Sequence, residues 1–303
     1  MIKVKDIHMR YRRVNCLLMT VTLMVMLSFP IIMQIKKGNS EVNAFASEIT
    51  TESSTFTGVE SKRIYRWGLK RSTNGGTPEV GSEESRILLN NGGIYIGDVK
   101  EKVLYLTFDE GYENGYTDKI LDVLKDNGVQ GIFFITGDYL ERQPELVRRM
   151  VEEGHEVGNH TLKHPSLATV SNERVETEIL ELDRRFFDKF NKHMRMMRPP
   201  MGEYNDSCLK ISSQLNNTCV MWSFAYEDWN LNKQKGTEFA FDMVNKNLHN
   251  GAIILLHAVS KDNAEALDKI IKEAKKQGYS FGNADLMLRT GASKASGVST
   301  NET

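Results

Sequence analysis

The middle of this 303-residue chain alternates short apolar runs with segments of helical periodicity. A short apolar run between turn residues is typical of a buried strand, and apolar residues three or four apart are typical of an amphipathic helix. Strands that alternate with helices favour parallel pairing with right-handed crossovers. The runs predicted as strands are residues 103–108, 131–135, 156–158, 196–198, 219–224, 252–257 and 279–281.

The segments between these strands carry helix start and stop signals. Pro144 stands where a first helical turn tolerates proline, Ser171 is a favoured N-cap, and Gly128, Gly154 and Gly278 follow the last periodic positions. The predicted helices are residues 117–127, 145–153, 171–190 and 262–277. The pattern predicts an α/β fold with about seven parallel strands, either an open doubly wound sheet or a closed barrel.

The two ends of the chain differ from this middle part. Up to Lys37 there are seven basic residues and one acid, so this part carries +6 and the rest −7 of the net charge of −1. Residues 14–35 contain no charged side chain, and as a helix they would measure about 33 Å, enough to cross a membrane. A basic flank before an apolar run predicts export. The near-neutral total gives no argument for nucleic-acid binding.

Two interpretations of the export segment stay open. Ala-Phe-Ala at residues 44–46 resembles a signal-peptide cleavage site, but the apolar run is long enough to remain as an uncleaved anchor. Residues 1–46 are therefore predicted to be a signal or membrane anchor. The Ser-, Thr- and Glu-rich residues 47–62 are predicted to be a linker, and the small, polar residues 291–303 a disordered tail.

Candidate functional side chains stand at the carboxyl ends of five predicted strands, where α/β proteins place their sites. Each has an ordinary structural explanation when it is taken alone, such as an acidic turn, a surface arginine or a core histidine. Five strand ends together favour a metal-assisted hydrolase. The residues are Asp109 with Glu110, His160 with His164, Arg198 before two prolines and Met201, Asp228 with Trp229, and His257.

These motifs, in this order, resemble those of the polysaccharide deacetylases with a NodB-type domain. They are Thr-Phe-Asp-Glu-Gly at 107–111, His-Thr-Leu-Lys-His at 160–164, Arg-Pro-Pro-Met-Gly at 198–202, Asp-Trp at 228–229 and Leu-Leu-His at 255–257. The sequence around them, at 67–70, 111–117 and 260–267, is similar to the muramic δ-lactam-forming peptidoglycan de-N-acetylases of endospore-forming bacteria. The resemblance covers about residues 63–288, and it predicts a catalytic domain at 63–290 with a distorted (β/α) barrel.

The resemblance also implies roles for individual residues. Asp109 would be the general base and His257 the general acid, with Arg198 orienting Asp109. Met201 would offer its backbone N–H to the oxyanion. Three further residues would contact the substrate: Tyr112, Asp228 and Trp229.

The family's cofactor is a divalent metal, with zinc expected before cobalt or manganese. The resemblance implies His160 and His164 as ligands, with Glu110 where the family usually has an aspartate. This longer side chain makes ligation by Glu110 an open question. Many relatives place the residue that tunes the acid three positions before the Asp-Trp pair, where this chain has Ala225. Polarisation of His257 would then fall to another carboxylate or be absent.

The sequence therefore predicts an exported hydrolase of linear amide C–N bonds that deacetylates N-acetylmuramic acid in peptidoglycan and leads to muramic δ-lactam in the spore cortex. The expected partner is a peptidoglycan glycan strand, with the membrane as a second partner if residues 14–35 are retained. A deacetylase of N-acetylglucosamine polymers is the first alternative. A non-catalytic glycan-binding protein is the second, since Glu110 departs from the family pattern.

Overall fold

The computed structural model describes residues 63–72 and 75–295. The helices in this part are α1 (Ser82–Asn90), α2 (Thr117–Asp126), α3 (Gly137–Arg142), α4 (Pro144–Glu152), α5 (Asn172–Phe190), α6 (Asp206–Gln214), α7 (Thr237–Asn245), α8 (Lys261–Lys276) and α9 (Ala284–Ala295). The strands are β1 (Tyr65–Arg66), β2 (Leu69–Lys70), β3 (Glu79–Val80), β4 (Val103–Glu110), β5 (Gly131–Ile135), β6 (Glu156–Asn159), β7 (Met196–Met197), β8 (Glu203–Tyr204), β9 (Thr218–Cys219), β10 (Ile253–Leu256) and β11 (Ser280–Phe281).

A curled parallel sheet forms the centre of the fold. Its order is β10-β4-β5-β6-β7-β9, and β11 pairs with the start of β4. Beyond β9 the chain returns to β10 through a parallel bridge between Phe224 and Ile254, which brings the two edges of the sheet together. The prediction of a distorted barrel with about seven parallel strands is confirmed.

Side chains of β4 alternate between the inside of the curled sheet and the helical layer. Tyr105 packs inside with Ile132 and Phe134. Leu106 and Phe108 pack in the cluster that includes apolar residues of α2 and α8. Because successive side chains of a strand point to opposite faces, this alternation also decides where the polar residues at the end of β4 go.

The differences from the predicted elements have local causes. The strand expected at 196–198 ends at Met197, because Pro199 and Pro200 cannot donate to a sheet. Of the strand expected at 219–224, only its first residue belongs to β9, and later residues form isolated bridges. Helix α9 continues to Ala295, so the start of the segment predicted as a disordered tail is helical. The sequence interpretation did not include helices α1, α3, α6, α7 and α9.

Several predictions concern residues outside the described part of the chain. These are the export segment at 1–46, the linker at 47–62 and the end of the tail from residue 296. Among the helices that the structure does describe, none combines the length and the apolar character that a membrane span requires.

Candidate active site

A cleft of about 660 Å³ opens at the carboxyl ends of the parallel strands. Asp109, His160 and His257 line it, and they come from the ends of β4, β6 and β10. In the parallel pairing of β10 with β4, Leu256 lies beside Phe108. The next residues in this register are His257 and Asp109, which places them as neighbours at the rim of the sheet.

Asp109 is held by a fully buried arginine. Arg198 donates from Nη1 to Oδ1 of Asp109 at 2.7 Å and to the hydroxyl of Thr107 at 2.9 Å. Its Nε donates to the carbonyl of Val220, and its guanidinium lies 4.2 Å from the ring centroid of Phe134. Burial alone would raise the pKa of Asp109, but the charge and hydrogen bond of Arg198 lower it below its ordinary value. The carboxylate is therefore ionised at neutral pH, with Oδ2 not bound to Arg198.

His160 and His164 line the same cleft with their rings packed edge to face. The Nδ1 atom of His160 lies 2.8 Å from the carbonyl oxygen of Arg198, which leaves Nε2 towards Oδ2 of Asp109 at 3.6 Å. The two rings have centroids 4.8 Å apart. Burial lowers the pKa of His160 to about 4 and lowers that of His164 as well. Both imidazoles are therefore neutral at pH 7.

The two histidines meet through a strained loop and not through a helix. Thr161 and His164 have φ angles of 69° and 58°, in the region that residues with a Cβ rarely adopt. Hydrogen bonds hold this conformation, since the amide of Thr161 donates to Asn159 Oδ1 and the amide of His164 donates to Thr161 Oγ1. Glu178 of α5 accepts from the amide of Lys163 at 2.7 Å. The two histidines, four residues apart in the sequence, therefore approach each other through a turn.

His257 is paired with a buried carboxylate. Asp228 accepts from the backbone amide of His257 through Oδ2 at 2.8 Å, and its Oδ1 lies 2.7 Å from the ring Nδ1. Asn263 donates to the same carboxylate. Burial tends to lower the pKa of His257, but the charge and hydrogen bond of Asp228 outweigh it and raise the pKa above the ordinary value. Asp228 therefore supplies the polarising carboxylate that Ala225 does not.

The remaining predicted residues of the cleft are exposed at its rim. Tyr112, Met201 and Trp229 line the cleft and expose about half of their surface (53%, 58% and 52%). Met201 sits in a 3₁₀ turn, Pro200–Gly202, with a left-handed φ of 59°. The ring centroid of Trp229 lies 5.8 Å from that of His257. An exposed aromatic beside an imidazole offers an apolar face to a ligand that enters the cleft.

Three predicted site residues do not line the cleft. Arg198 and Asp228 lie beneath it and bind Asp109 and His257, so the predicted contact of Asp228 with substrate is not found. Glu110 differs from both, because its side chain does not bind any described group of the cleft. It is fully buried, and neither carboxylate oxygen has a hydrogen-bond partner among the described residues. The nearby hydroxyl of Tyr139 donates to Glu113. Strand β4 stays extended through Glu110, so Asp109 points into the cleft and Glu110 points into the helical layer. The third-ligand prediction for Glu110 does not agree with this placement.

Comparisons with known proteins point to one family. The Polysaccharide deacetylase family pattern matches residues 96–220. The peptidoglycan-N-acetylmuramic acid deacetylase PdaA of Bacillus subtilis is 44% identical over 223 residues, which are 73% of this chain and 85% of that protein. This chain belongs to the polysaccharide deacetylase family.

Further relatives extend the similarity. The solved structure of B. subtilis PdaA, described as a family 4 carbohydrate esterase, matches with a TM-score of 0.73 at 43% identity, over 75% of this chain and 98% of that chain. A peptidoglycan-N-acetylglucosamine deacetylase of Bacillus cereus is 37% identical over 194 residues, 62% of this chain and 89% of that protein. The two relatives act, by their names, on different sugars of peptidoglycan.

The resemblance to polysaccharide deacetylases implies a divalent metal, but the described part of the structure provides only two of the ligands expected for it. Divalent zinc accepts neutral imidazole ligands, and catalytic zinc sites have three protein ligands. His160 and His164 supply two imidazoles, with the Nδ1 of His160 fixed by a backbone carbonyl as in metal sites. Across residues 63–72 and 75–295, no three His, Cys, Asp or Glu side chains form a group that could hold an ion. The set of His160, His164 and Glu110 therefore does not fit in this structure.

The burial of Glu110 leads to a prediction about stability and pH. Burial, reinforced by repulsion from Glu113 and Asp109, raises the pKa of Glu110 well above its ordinary value. In the unfolded chain this group ionises at about pH 4.3. Above that pH the folded state keeps a proton that the unfolded state has lost, so Glu110 lowers the free energy of unfolding by about 1.4 kcal/mol per pH unit until its folded pKa is passed.

Glu110→Gln should remove this loss, because a neutral amide replaces the buried carboxyl. Thermal melts between about pH 5 and pH 8 should show the variant gaining stability over the wild type as pH rises. Glu152→Gln, an exposed position on α4, is the control and should give a pH-independent difference. A variant that is less stable at every pH, and that loses a metal-dependent rise in Tm seen in the wild type, would show that Glu110 is a ligand after all.

Sequence interpretation missed some cleft residues of this deacetylase. Tyr226 and Trp222 line the cleft beside Ala225, and Asp138 and Lys163 form an ion pair at its rim. Tyr226 precedes Asp228 by two positions, and the amide of Asp228 donates to the carbonyl of Tyr226 in a tight turn. Its nearness to the Asp-Trp motif is the only sequence signal for it. Lys163 lies inside the His-Thr-Leu-Lys-His motif, in which only the two histidines were predicted as site residues.

Proposed function

We propose that this protein is a hydrolase that removes the N-acetyl group from N-acetylmuramic acid in peptidoglycan. The observation that carries this proposal is that one cleft holds an ionised carboxylate and a histidine with a raised pKa. Arg198 keeps Asp109 ionised, and Asp228 raises the pKa of His257 so that its imidazolium persists to higher pH. A general base and a general acid with separated pKa values are what amide hydrolysis requires.

The chemistry follows from these two states. A water molecule beside Oδ2 of Asp109 loses a proton to the carboxylate as it attacks the acetamide carbon. The resulting tetrahedral intermediate carries a negative oxygen and an amide nitrogen that is a poor leaving group until it is protonated. The His257 imidazolium gives its Nε2 proton to that nitrogen, the C–N bond breaks, and acetic acid and a free amine leave. Asp109 then releases its proton to water, and His257 takes one up, which restores the starting state. Each proton transfer contributes roughly 10²–10⁴ in rate.

The turn at Pro200–Gly202 would stabilise the negative oxygen. Met201 is held with a left-handed φ of 59° at the rim of the cleft. Strained backbone of this kind is common where a peptide N–H has to point at a reacting group. We infer that the N–H of Met201 binds the oxyanion. The pyrrolidine rings of Pro199 and Pro200 remove two competing donors and fix the turn.

The substrate class rests on the comparisons and on the rim of the cleft. PdaA of B. subtilis is named for N-acetylmuramic acid, and this chain covers 85% of its length at 44% identity. Tyr112 and Trp229 expose apolar rings on which a sugar can stack. N-acetylglucosamine is the second candidate substrate, because the B. cereus relative is named for it.

Location, cofactor and physiological role are part of the same proposal. The basic flank and the uncharged residues 14–35 support export, with the enzyme either anchored in the membrane or released to the cell wall. The similarity to δ-lactam-forming enzymes supports a role in the spore cortex. A divalent ion, zinc before cobalt or manganese, stays a prediction for this chain, with His160 and His164 as its imidazole ligands.

A substrate panel separates the two sugars. Purified protein should release acetate from peptide-free muramoyl glycan with a higher kcat/KM than from N-acetylglucosamine oligomers of the same length. Divalent metal is supplied in excess so that the cofactor does not limit either reaction. Equal or faster release from the glucosamine oligomers would assign the chain to the second substrate class.

A further inference from the structure

One basic side chain stands at the rim of the cleft. Among the described residues that line it, Lys163 is the only lysine or arginine. Arg198 lies beneath the cleft, fully buried and bound to Asp109. His257 is paired with the buried carboxylate of Asp228, whereas Lys163 and its partner Asp138 are both about half exposed at the rim (52% and 54%). Lys163 is therefore the basic side chain that an anionic part of a substrate can reach.

Hydrogen bonds fix both the backbone and the side chain of Lys163. The residue belongs to the strained loop that carries His160 and His164, and its amide donates to Oε2 of Glu178 at 2.7 Å. Its ammonium lies 2.7 Å from Oδ1 of Asp138, and the side chain is 52% exposed. An ammonium group has three donors, so the contact with Asp138 leaves others for a ligand. The ion pair with Asp138 thus holds the ammonium group at the rim of the cleft.

The proposed substrate carries an anion at a fixed distance from the reacting amide. N-acetylmuramic acid differs from N-acetylglucosamine by a lactyl ether on C3, next to the carbon that bears the acetamide. The lactyl carboxyl can close a six-membered lactam with the C2 nitrogen, so the two groups are within reach of each other. A muramic acid residue that placed its acetamide at Asp109 and His257 would therefore bring its carboxylate to the same cleft, which Lys163 also lines.

We propose that the ammonium of Lys163 binds the lactyl carboxylate of N-acetylmuramic acid and so selects muramic acid residues without a stem peptide. This inference rests on the proposed function and adds the residue that determines specificity. A stem peptide converts the carboxylate into an amide, which removes the charge that Lys163 would bind. N-acetylglucosamine has no carboxylate at all. A charge-assisted hydrogen bond to a carboxylate accounts for a preference of about tenfold or more.

The test compares two substrates that differ only in this charge. Peptide-free muramoyl oligosaccharide is assayed beside its lactyl methyl ester, and acetate release gives kcat/KM for each. In the wild type the acid should exceed the ester by about tenfold or more, and in Lys163→Met the ratio should fall to about one. The loss should appear mainly as a higher KM for the acid, since the contact exists already in the bound ground state.

Two variants separate substrate binding from a structural role of the Lys163–Asp138 pair. Asp138→Asn breaks the pair but keeps the cation, so the preference for the acid should persist or increase. Lys235→Met removes a lysine from a neighbouring groove, where Nζ lies 4.6 Å from the ring centroid of Phe239, and is the matched control with an unchanged ratio.

Each outcome bears on one of two claims. A ratio of about one in the wild type, or an equal fall of the ratio in Lys163→Met and Asp138→Asn, would overturn the role of Lys163 while acetate release still supports the deacetylase. Release of acetate from glucosamine oligomers and from neither muramoyl substrate would overturn the proposed function, and the inference with it.

Discussion

Asp109→Asn should reduce acetate release by roughly 10²–10⁴, because an amide cannot take the proton of the attacking water. Asparagine has nearly the same shape and keeps an oxygen for Arg198, so the position of the side chain should change little. The loss should appear in kcat more than in KM, as expected for an interaction made in the transition state. Steady-state assays on peptide-free muramoyl glycan measure it.

The same substitution leaves a fully buried arginine without its counter-charge. Removing one partner of a buried ion pair destabilises proteins by about 3–5 kcal/mol, so the Tm of the variant has to be measured and assays run well below it. Asp242→Asn, a half-exposed side chain on α7 outside the cleft, is the control for charge removal. Retention of wild-type kcat in a folded Asp109→Asn protein would exclude Asp109 as the base.

His257→Ala should be the second severe loss, again roughly 10²–10⁴, because the leaving nitrogen would depart without a proton. A substrate whose leaving group needs no protonation, such as an acetate ester of an acidic phenol, should be much less affected. His193→Ala removes a largely exposed imidazole that pairs with Asp183 and should leave activity unchanged. An equal loss on the ester and on the amide would assign His257 a role other than acid.

Asp228→Asn should lower the pKa of His257, the proposed general acid, and the pH dependence of kcat/KM measures this change. The general acid must be protonated, so kcat/KM falls as pH rises through the pKa of His257. Because the Asp228 carboxylate raises that pKa, its neutral replacement should move the alkaline limb of the profile to lower pH. The acid limb, which Asp109 sets, should stay where it is. An unchanged alkaline limb would contradict the pairing of His257 with Asp228 in the working enzyme.

The strand-end residues could be predicted because parallel strands bring their carboxyl ends to one edge. From this rule the sequence predicts that Asp109, His160, Arg198 and His257 meet at one edge of the sheet. In the structure three of them line one cleft, and Arg198 lies directly beneath it. The rule needs only the strand positions, which were accurate where the apolar runs were long, as in β4 and β5. Short elements such as β7 were less accurate, because the prolines after Arg198 end the pairing early.

Two features of the site could not be read from sequence. The partner of His257 was left open, because the contact with Asp228 depends on how residues 220–224 return to β10 through isolated bridges. The direction of Glu110 depends on whether β4 stays extended through its last residue, which no local pattern decides. Both outcomes are consequences of tertiary packing, and each changes the chemistry assigned to a neighbouring residue.

Mass spectrometry of peptide-free muramoyl glycan, before and after treatment with the purified protein, tests the deacetylase assignment most directly. The treated glycan should lose the mass of one acetyl group per processed muramic acid, with free acetate in equal amount, and Asp109→Asn should give no change. A further loss of one water would identify lactam closure in the same incubation. Unchanged glycan with metal supplied, from a folded protein that still binds it, would contradict the assignment and favour a non-catalytic glycan-binding protein.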